Sequence, residues 1–317
     1  MKIPKFPLQA FLAVALLASV SAAQKPKDNA RQRVRTVSIP ISIYTKQELK
    51  TDQAEEFIRI ERLIVKEDRE DQQILSVRSV ETAPLALAVL IQEDLVSQFN
   101  LQLKDLANFI RTLPRGSRVM VAYIRGGSLD VRQRFTDDLE HAAGSLRIVS
   151  ASASAAPRNP YDGLIDALNR FDALPAGRRA VLMVSDGLDV SQGLSSSTPS
   201  QSIDLDRAIL RAQRKSVAVF SIYSPATLTD GGDSRLVANG QGSLNRLSDE
   251  TGGRAFFQGT ISPINLDPFF KDLRILLNRQ FLLTYLSTHM NKGYHRLEVT
   301  SDNPAVKIEH PKGYYYR

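Results

Sequence analysis

The chain has 317 residues, of which 43% are hydrophobic and 24% charged, a composition typical of a globular protein and not of a disordered one. Its formal net charge is +7, but acidic and basic residues are mixed along most of the chain and no basic–aromatic motif occurs, so nucleic-acid binding is not expected. Because the sequence contains no cysteine, it excludes disulfides, thiolate zinc sites, cysteine nucleophiles and a lipidated amino-terminal cysteine.

Residues 1–23 have the pattern of a cleaved secretory signal peptide. Two basic residues, Lys2 and Lys5, precede an apolar run from Phe6 to Val20, and the small residues Ser21-Ala22-Ala23 suit signal peptidase. The run is short for a bilayer span and contains a glutamine, which disfavours the alternative of a retained membrane anchor. We therefore expect an exported protein, periplasmic or secreted, with no integral membrane segment after cleavage.

Residues 24–34 form a basic stretch after the predicted cleavage site. We interpret it as a solvated linker, and the alternative is a contact with acidic polymers or an anionic membrane surface. The basic residues of this stretch and its end are Lys25, Lys27, Arg31, Arg33 and Arg35, with Asp28 opposing them.

Residues 35–82 are predicted to form an N-terminal β module. Apolar and polar side chains alternate from Val37 to Tyr44 and again from Ile58 to Val65, as expected for half-buried strands. Pro40 favours an edge strand, because proline cannot donate a hydrogen bond to a neighbouring strand. A charged turn over Glu67–Asp71 then leads into a further strand.

Residues 83–278 alternate between predicted strands and helices. The first strand, Leu85–Ile91, is a continuous apolar run, which is typical of a strand buried on both faces of a parallel sheet. The further strands are Val119–Ile124, Val131–Phe135, Ala180–Val184, Val217–Ile222 and Arg254–Phe257. The helices are Leu103–Leu113, Asp137–Leu146, Tyr161–Leu174, Ile203–Lys215, Leu244–Glu250 and Asn265–Leu277. This alternation predicts an α/β fold with a doubly wound, mostly parallel sheet.

One glycine-rich segment within this region, Gly240-Gln241-Gly242, is interpreted as a loop. A dinucleotide-binding fingerprint needs a preceding strand and a third glycine, and this segment has neither.

Residues 279–317 return to a strand-rich pattern. Three runs, Phe281–Tyr285, His295–Thr300 and Val306–Glu309, predict successive antiparallel strands, and Tyr314-Tyr315-Tyr316 forms an edge. Our hypothesis is that this C-terminal extension pairs with the N-terminal β module. The two segments together have the size of a small β unit, with the α/β domain inserted between them.

The sequence offers no recognisable set of catalytic residues. No Gly-x-Ser-x-Gly motif is present, so a hydrolase triad has no candidate nucleophile. The four histidines, His141, His289, His295 and His310, show no metal-ligand spacing. We expect a protein that is not an enzyme and has no catalytic or cofactor-binding residues.

A series of short motifs runs from about Val37 to Tyr315. Glu67-Asp68, Gln72 and Ile74 stand where related chains have a strand ending in Glu-Asp-Gly, followed by Gln and Ile. The other motifs are Ala83-Pro84-Leu85, Ser185-Asp186-Gly187-Leu188-Asp189, Thr251-Gly252-Gly253-Arg254-Ala255-Phe256, Gln280-Phe281-Leu282-Leu283 and Lys312-Gly313-Tyr314-Tyr315. In this order they resemble a family of secreted proteins related to the von Willebrand factor A (VWA) domain, typified by acidobacterial sequences.

The resemblance implies a ligand face at the carboxyl ends of the central strands, where open α/β sheets bind ligands. VWA domains usually act through a metal-ion-dependent adhesion site. An Asp-x-Ser-x-Ser loop, a threonine and a second aspartate hold a magnesium ion there, and the ion is coordinated by about six oxygen ligands. A carboxylate of the partner then completes the shell.

This chain departs from that ligand set. Gln92 replaces the first aspartate, Asp94 the first serine and Val96 the second serine, while Arg158 stands near the threonine position and Asp186 is retained. A guanidinium repels a cation, so a degenerate site and no bound magnesium are expected. Two interpretations remain: Arg158 takes the place of the ion in a structural cluster with the carboxylates, or the face still binds a partner without a bridging cation.

The predicted function is that of an exported VWA-domain binding or scaffold protein that contacts a protein or a cell-surface ligand without metal. The partner-binding face is predicted to include Glu93, Asp94, Ser185, Asp186 and Asp189. The alternative function is a divalent-metal-dependent adhesin that captures an acidic ligand through a modified metal site.

Overall fold

The computed structural model describes residues 33–51, 63–79, 84–150, 158–175, 177–257 and 265–316. The chain divides into two compact units, Met1–Arg33 and Val34–Arg317, and every described strand and helix belongs to the second unit. The predicted signal peptide, almost all of the predicted linker and the strand residues around Ile58 and Ile60 lie outside the described residues. Within the described part of the chain, no helix combines the length and the apolar character needed to cross a bilayer.

The described elements alternate between strands and helices in the middle of the chain and are mostly strands at both ends. The strands are β1 (Arg35–Thr45), β2 (Leu63–Glu67), β3 (Glu70–Arg78), β4 (Leu85–Gln92), β5 (Arg118–Arg125), β6 (Ser128–Thr136), β7 (Arg178–Ser185), β8 (Val217–Tyr223), β9 (Ala255–Phe256), β10 (Gln280–Ser287), β11 (Gly293–Ser301), β12 (Val306–Glu309) and β13 (Gly313–Tyr316). The helices are α1 (Lys46–Thr51), α2 (Leu103–Arg111), α3 (Leu139–Gly144), α4 (Pro160–Arg170), α5 (Ile203–Arg214), α6 (Ser234–Thr251) and α7 (Asp267–Asn278).

The central sheet is mixed, with the strand order β6-β5-β4-β7-β8-β9. Neighbouring strands are parallel from β5 to β9, and β6 runs antiparallel to β5. The reversal follows from the connection, because Gly126 and Gly127 both have positive φ and form a two-residue hairpin turn, which can only join antiparallel strands. The α/β class predicted from the sequence is correct. The strand–helix alternation did not predict that the edge strand β6 runs antiparallel to its neighbour β5.

Helices cover both faces of this sheet. Side chains of α2, α3 and α7 pack on one face with Leu87 and Val89 of β4, while α4, α5 and α6 pack on the other with Ala88 and Leu90. Successive residues of a strand point to opposite faces. Burial on both faces therefore explains why the sequence of β4 is continuously apolar.

The strands of the two terminal segments form one antiparallel sheet, in the order β12-β1-β10-β3-β2-β11-β13. The long β1–β10 register runs from Arg35 opposite Ser287 to Ser42 opposite Gln280, and β10 also pairs with β3. The pairing of the N-terminal and C-terminal β segments is therefore as hypothesised. The prediction of an edge strand from Pro40 is wrong for β1 as a whole, because β1 lies between β12 and β10. Among the described strands, however, Pro40 has a partner on the β10 side only, since β12 pairs with β1 from Ser42 onward.

A buried arginine links the two sheets. Arg178, at the start of β7, donates from Nη1 to the carbonyl oxygen of Leu277 (2.7 Å), at the end of α7, and to that of Gln280 (3.3 Å), which begins β10. Its side chain is among the largest that are fully buried. A cation at the carboxyl end of a helix is favoured by the helix dipole, so this contact holds the chain where it passes from the α/β part to the antiparallel sheet.

Helix α6 begins ten residues earlier than the predicted helix Leu244–Glu250. Asp233 caps it through Oδ1, and Gly252, with φ of 84°, ends it in the left-handed conformation. The segment Gly240–Gly242, predicted as a loop, therefore lies inside the helix. A Cβ atom at Gly240 would lie 2.0 Å from the carbonyl oxygen of Asp186, so glycine is needed there for close packing even though it disfavours a helix.

The remaining differences in helix bounds are small. The helix predicted over Asp137–Leu146 spans Leu139–Gly144, and that predicted over Tyr161–Leu174 spans Pro160–Arg170 with one 3-10 turn after it. Helix ends are the least well determined part of a sequence-based prediction.

Candidate functional site

The candidate site is a cleft at the carboxyl ends of β4 and β5. Its cavity has a volume of about 260 Å³ and is lined by Gln92, Glu93, Asp94, Ile124, Arg125, Gly126, Gly127, Arg158, Asn159 and Pro160. The chain leaves β4 toward β5 on one side, while β7 lies on the other side of β4. Connections that diverge in this way leave a crevice at the strand ends, where open α/β sheets bind ligands.

Gln92 joins the end of β4 to the end of β7. Its Nε2 donates to Asp94 Oδ1 at 2.8 Å, and its Oε1 accepts from Ser185 Oγ at 2.5 Å and from the backbone N–H of Asp186 at 3.2 Å. Ser185 Oγ in turn accepts from the N–H of Gly187. Both polar ends of the Gln92 amide are therefore engaged within the protein.

Arg158 lies beside Asp94 in the cleft wall. Its Nε is 2.9 Å from Asp94 Oδ2, and its Nη2 donates to the Thr227 hydroxyl. The residue is 7% exposed, and among the described residues its buried Nη1 has no hydrogen-bond partner. The structure thus brings Arg158 into contact with Asp94, while its contact with Asp186 is only electrostatic.

Asp186 is completely buried at the end of β7. Its Oδ1 accepts from the N–H of Leu188 at 3.1 Å, and its Oδ2 is 3.4 Å from the Thr229 hydroxyl. Burial, and secondly the negative charge of Asp94, raise the pKa of Asp186 to about 6. Ionisation of this carboxyl group therefore opposes folding at neutral pH.

The carboxylate of Glu93 is neutralised by two arginines. Arg125 donates to it through Nε and Nη2, the latter at 2.8 Å, and Arg147 Nη2 donates at 2.9 Å. The hydrogen bond from Arg125, followed by burial acting in the opposite direction and then Arg147, leaves the pKa of Glu93 below its usual value. The Arg125 side chain is about two-thirds exposed and forms the rim of the cleft.

The five residues of the predicted partner-binding face are all buried. Glu93, Asp94, Ser185 and Asp186 lie around the cleft and are held by its hydrogen bonds and ion pairs. Asp189 lies one loop further on and accepts from Ser191 and Ser202, the latter at 2.7 Å. Of the described residues that line the cleft, Arg125 is the one that is exposed.

The donor set does not fit a magnesium ion. Of the predicted positions, Gln92 Oε1 already accepts two hydrogen bonds, Val96 carries no donor atom, and the guanidinium of Arg158 stands against Asp94. Magnesium requires near-octahedral oxygen ligands and loses its water reluctantly. The two remaining carboxylates, Asp94 and Asp186, do not supply such a shell.

Several residues of the site were not predicted from the sequence. The Asn-Pro pair at Asn159 is a recognisable helix start, and its Oδ1 accepts from the N–H groups of Tyr161 and Asp162. The Gly126-Gly127 pair after a predicted strand was also a usable turn signal. Thr227 and Thr229, in the loop after β8, carry no local signal and are placed only by the tertiary structure.

Several solved structures are similar to this chain at low sequence identity. No protein-family model matches the chain, and no curated protein matches it in sequence. An aerotolerance-related membrane protein from Bacteroides fragilis is 11% identical, with a TM-score of 0.43, over 61% of this chain and 98% of its own. BatB from Bacteroides thetaiotaomicron is 11% identical over 62% and 97% of the two chains, also with a TM-score of 0.43. A von Willebrand factor type A protein from Catenulispora acidiphila is 10% identical over 83% and 76%, with the same TM-score. These values are too low to indicate what this chain binds.

Proposed function

We propose that this chain is an exported, non-enzymatic binding protein with a VWA-type α/β domain. In this proposal the cleft at Arg158 recognises an acidic group of a protein or cell-surface ligand, and no metal ion bridges the two. The observation that carries it is the buried guanidinium of Arg158, which contacts Asp94 through Nε and whose Nη1, among the described residues, has no partner in the cleft wall. A buried hydrogen-bond donor without a partner is costly, so a ligand oxygen would be favoured at Nη1 once a small movement of the cleft wall exposes this atom.

The charges around the cleft support an acidic ligand. Glu93 is paired with Arg125 and Arg147, Asp94 is paired with Arg158, and Asp186 has a raised pKa. Glu93 and Asp94 are therefore paired with arginines, whereas Asp186, with a pKa of about 6, is largely ionised at pH 7. The Arg125 side chain, although paired with Glu93, is the exposed cation at the rim. An arginine binds carboxylates with planar, two-pronged geometry.

The size of the cleft favours a single side chain over a cofactor. A volume of about 260 Å³ lies below the range of roughly 300–1,000 Å³ that is usual for small-molecule and cofactor sites. A glutamate or aspartate side chain of a partner would fit this space.

Two parts of the proposal depend on the sequence. Export depends on the signal-peptide pattern of residues 1–23, and the VWA-type domain depends on the series of motifs between Val37 and Tyr315.

Selection of peptides from a random display library tests the proposal. The mature chain, held in a chelating buffer, is expected to enrich peptides that contain aspartate or glutamate, and magnesium should not change their affinity. Arg125→Gln, at the exposed rim, should weaken the selected peptides and lower the salt dependence of binding. Arg158→Gln should abolish binding, while Arg235→Gln, a surface arginine at the start of α6, serves as the matched control.

Two outcomes would contradict the proposal. If the selected peptides are not enriched in aspartate or glutamate, the arginines of the cleft do not recognise an acidic group. Binding that appears only with magnesium and is lost in Asp186→Ala would instead support the alternative, a metal-dependent adhesin.

A further inference from the structure

A second polar cluster lies in the antiparallel sheet and is independent of the cleft. Glu67 ends β2, Asp68 belongs to the turn between β2 and β3, and His289 follows β10. Each of the three residues offers one potential ligand atom, a carboxylate oxygen or an imidazole nitrogen, and these three atoms all lie within 4.8 Å of one another. The cluster therefore combines an imidazole nitrogen with two carboxylates, although the residues come from opposite ends of the chain.

Glu67 is fully buried and only half satisfied. Its Oε1 accepts from Ser287 Oγ at 2.9 Å and from the Tyr314 hydroxyl at 2.5 Å, and Arg35 Nη2 lies 3.7 Å away. Its Oε2 has no hydrogen bond of normal geometry among the described residues, and the buried Tyr285 hydroxyl, which also has none, interacts with the same carboxylate.

His289 presents a second buried atom of the same kind. Its Nδ1 lies 3.6 Å from Glu67 Oε1, too far for a hydrogen bond, and has no other partner among the described residues. Its Nε2 lies 3.5 Å from Glu70 Oε2. With the ring proton on Nε2, facing the carboxylate of Glu70, Nδ1 keeps a free lone pair directed toward Glu67.

The loop that carries His289 is held in place by its backbone. The carbonyl oxygen of His289 accepts from Arg35 Nε at 3.1 Å, and its N–H donates to Ser287 Oγ at 3.2 Å. Because Ser287 Oγ also donates to Glu67, the same hydroxyl group positions both candidate ligands.

Asp68 is oriented by two neighbours. Its Oδ2 lies 2.8 Å from His295 Nδ1, and its Oδ1 accepts from the N–H of Arg296 at 2.9 Å. His295 is itself held through Nε2 by the carbonyl oxygen of Asn291. Carboxylate ligands of protein metal sites are commonly supported by outer hydrogen bonds of this type, and metal-bound histidines by a carboxylate on the other ring nitrogen.

We infer that Glu67, Asp68 and His289 form a binding site for a divalent transition-metal ion of the zinc class, with Glu70 and His295 positioning the ligands. A mixed set of one imidazole nitrogen and carboxylate oxygens suits zinc and its neighbours, whereas magnesium and calcium prefer oxygen alone. The metal would use the lone pair of His289 Nδ1, a buried atom that lacks a hydrogen-bond partner within the described part of the chain, and one carboxylate oxygen each of Glu67 and Asp68. The guanidinium of Arg35 donates to the carbonyl oxygen of His289 and lies 3.7 Å from Glu67 Oε1, so the two carboxylates of the cluster have to outweigh its charge for a cation to bind.

Calorimetric titration of the chelator-treated chain with zinc chloride tests the site. We expect one ion per chain, and an increase in the unfolding temperature when zinc is present, because a ligand that binds only the folded state stabilises it. Cobalt chloride should give a visible absorption spectrum, and zinc should displace it.

The variants are chosen near the surface so that folding is preserved. His289→Ala should weaken zinc binding by more than about 100-fold, and Glu70→Gln, which removes the carboxylate behind the histidine, by roughly 10-fold. His141→Ala, an exposed histidine in α3, is the matched control and should leave binding unchanged. Circular dichroism and the unfolding temperature without zinc establish that each variant is folded.

The inference is overturned if zinc does not bind up to millimolar concentration. It is equally overturned if His289→Ala binds zinc as tightly as the unmodified chain, because the ion is then held elsewhere on the surface. Neither result bears on the peptide selection at the cleft, which is carried out in chelator.

Discussion

Arg158 and Asp94 form a buried ion pair, with the arginine Nε 2.9 Å from Asp94 Oδ2. The resemblance to VWA proteins implies that both positions supply ligands of a divalent ion. In this chain the guanidinium group of Arg158 lies beside the carboxylate of Asp94 at this position. Its charge is permanent and cannot be removed by a chelator, so any recognition through this cleft should be independent of metal.

The ion pair should make a measurable contribution to folding. Arg158→Met leaves Asp94 buried without its partner and is expected to lower the free energy of unfolding by about 3–5 kcal/mol in urea denaturation. The double variant Asp94→Asn with Arg158→Met should recover most of this loss, because no uncompensated charge remains. A double variant as unstable as Arg158→Met alone would show that the arginine acts through packing and not through charge.

Magnesium should not bind at the cleft. Calorimetric titration with magnesium chloride is expected to give the same result for the unmodified chain and for Asp186→Ala, with no heat of binding at the cleft. The reason is that the candidate ligand atoms of Gln92 and Asp94 are engaged by hydrogen bonds and by Arg158. The same titration in the variant is the control. Micromolar binding that depends on Asp186 would contradict both the expected absence of metal and the proposed function.

Asp186 should make folding less favourable as the pH rises. Its folded-state pKa, about 6, is above the value of roughly 3.9 in an unfolded chain. A group whose pKa is raised by folding contributes stability that is complete below pH 4 and is lost as the pH rises through 6, here on the order of 2–3 kcal/mol. Asp186→Asn should therefore gain stability relative to the unmodified chain between pH 4 and 7.

Comparison of the two proteins at each pH is needed because other groups have the opposite effect. Glu93, whose pKa is lowered, contributes stability above its unfolded-state pKa and loses it on acidification. A stability difference between Asp186→Asn and the unmodified chain that does not change with pH would refute this prediction.

The contact between α6 and the end of β7 should tolerate only glycine. A Cβ atom at Gly240 would meet the backbone of Asp186 at 2.0 Å, so Gly240→Ala is expected to lower the free energy of unfolding by more than about 3 kcal/mol through displacement of the helix. Gly144→Ala in α3, where no atom lies within 4 Å, should instead be neutral or stabilising by up to about 1 kcal/mol. Equal effects of the two substitutions would argue against the close approach.

The turn between β2 and β3 should be improved by glycine. Asp68 and Arg69 have φ values of 51° and 75°, a conformation that costs a non-glycine residue about 1 kcal/mol. Arg69→Gly is therefore expected to stabilise the chain by up to about 1 kcal/mol, whereas Gln73→Gly, at an exposed position within β3, should destabilise it by roughly 0.5–1 kcal/mol. Thermal unfolding of both variants would show whether the signs differ.

Local pattern was sufficient for most of the elements. The apolar run of β4, the helical spacing in α2 and α5 and the alternation in β1 each appear at the predicted place, because burial on one or two faces imposes a period on the sequence. The positions Gln92, Asp94, Arg158 and Asp186 were identified from motifs, and the structure brings all four to one edge of the sheet.

The contacts between these elements were decided by the tertiary structure alone. Local periodicity does not predict the antiparallel direction of β6 or the continuation of α6 across Gly240. Nor does it predict the ion pairs of Arg125 and Arg147 with Glu93, or the proximity of His289 to Glu67. Each depends on strand register and on the packing of segments that are far apart in the chain. A sequence pattern reports whether a side chain is buried, but the identity of its neighbour is set only when the sheets assemble.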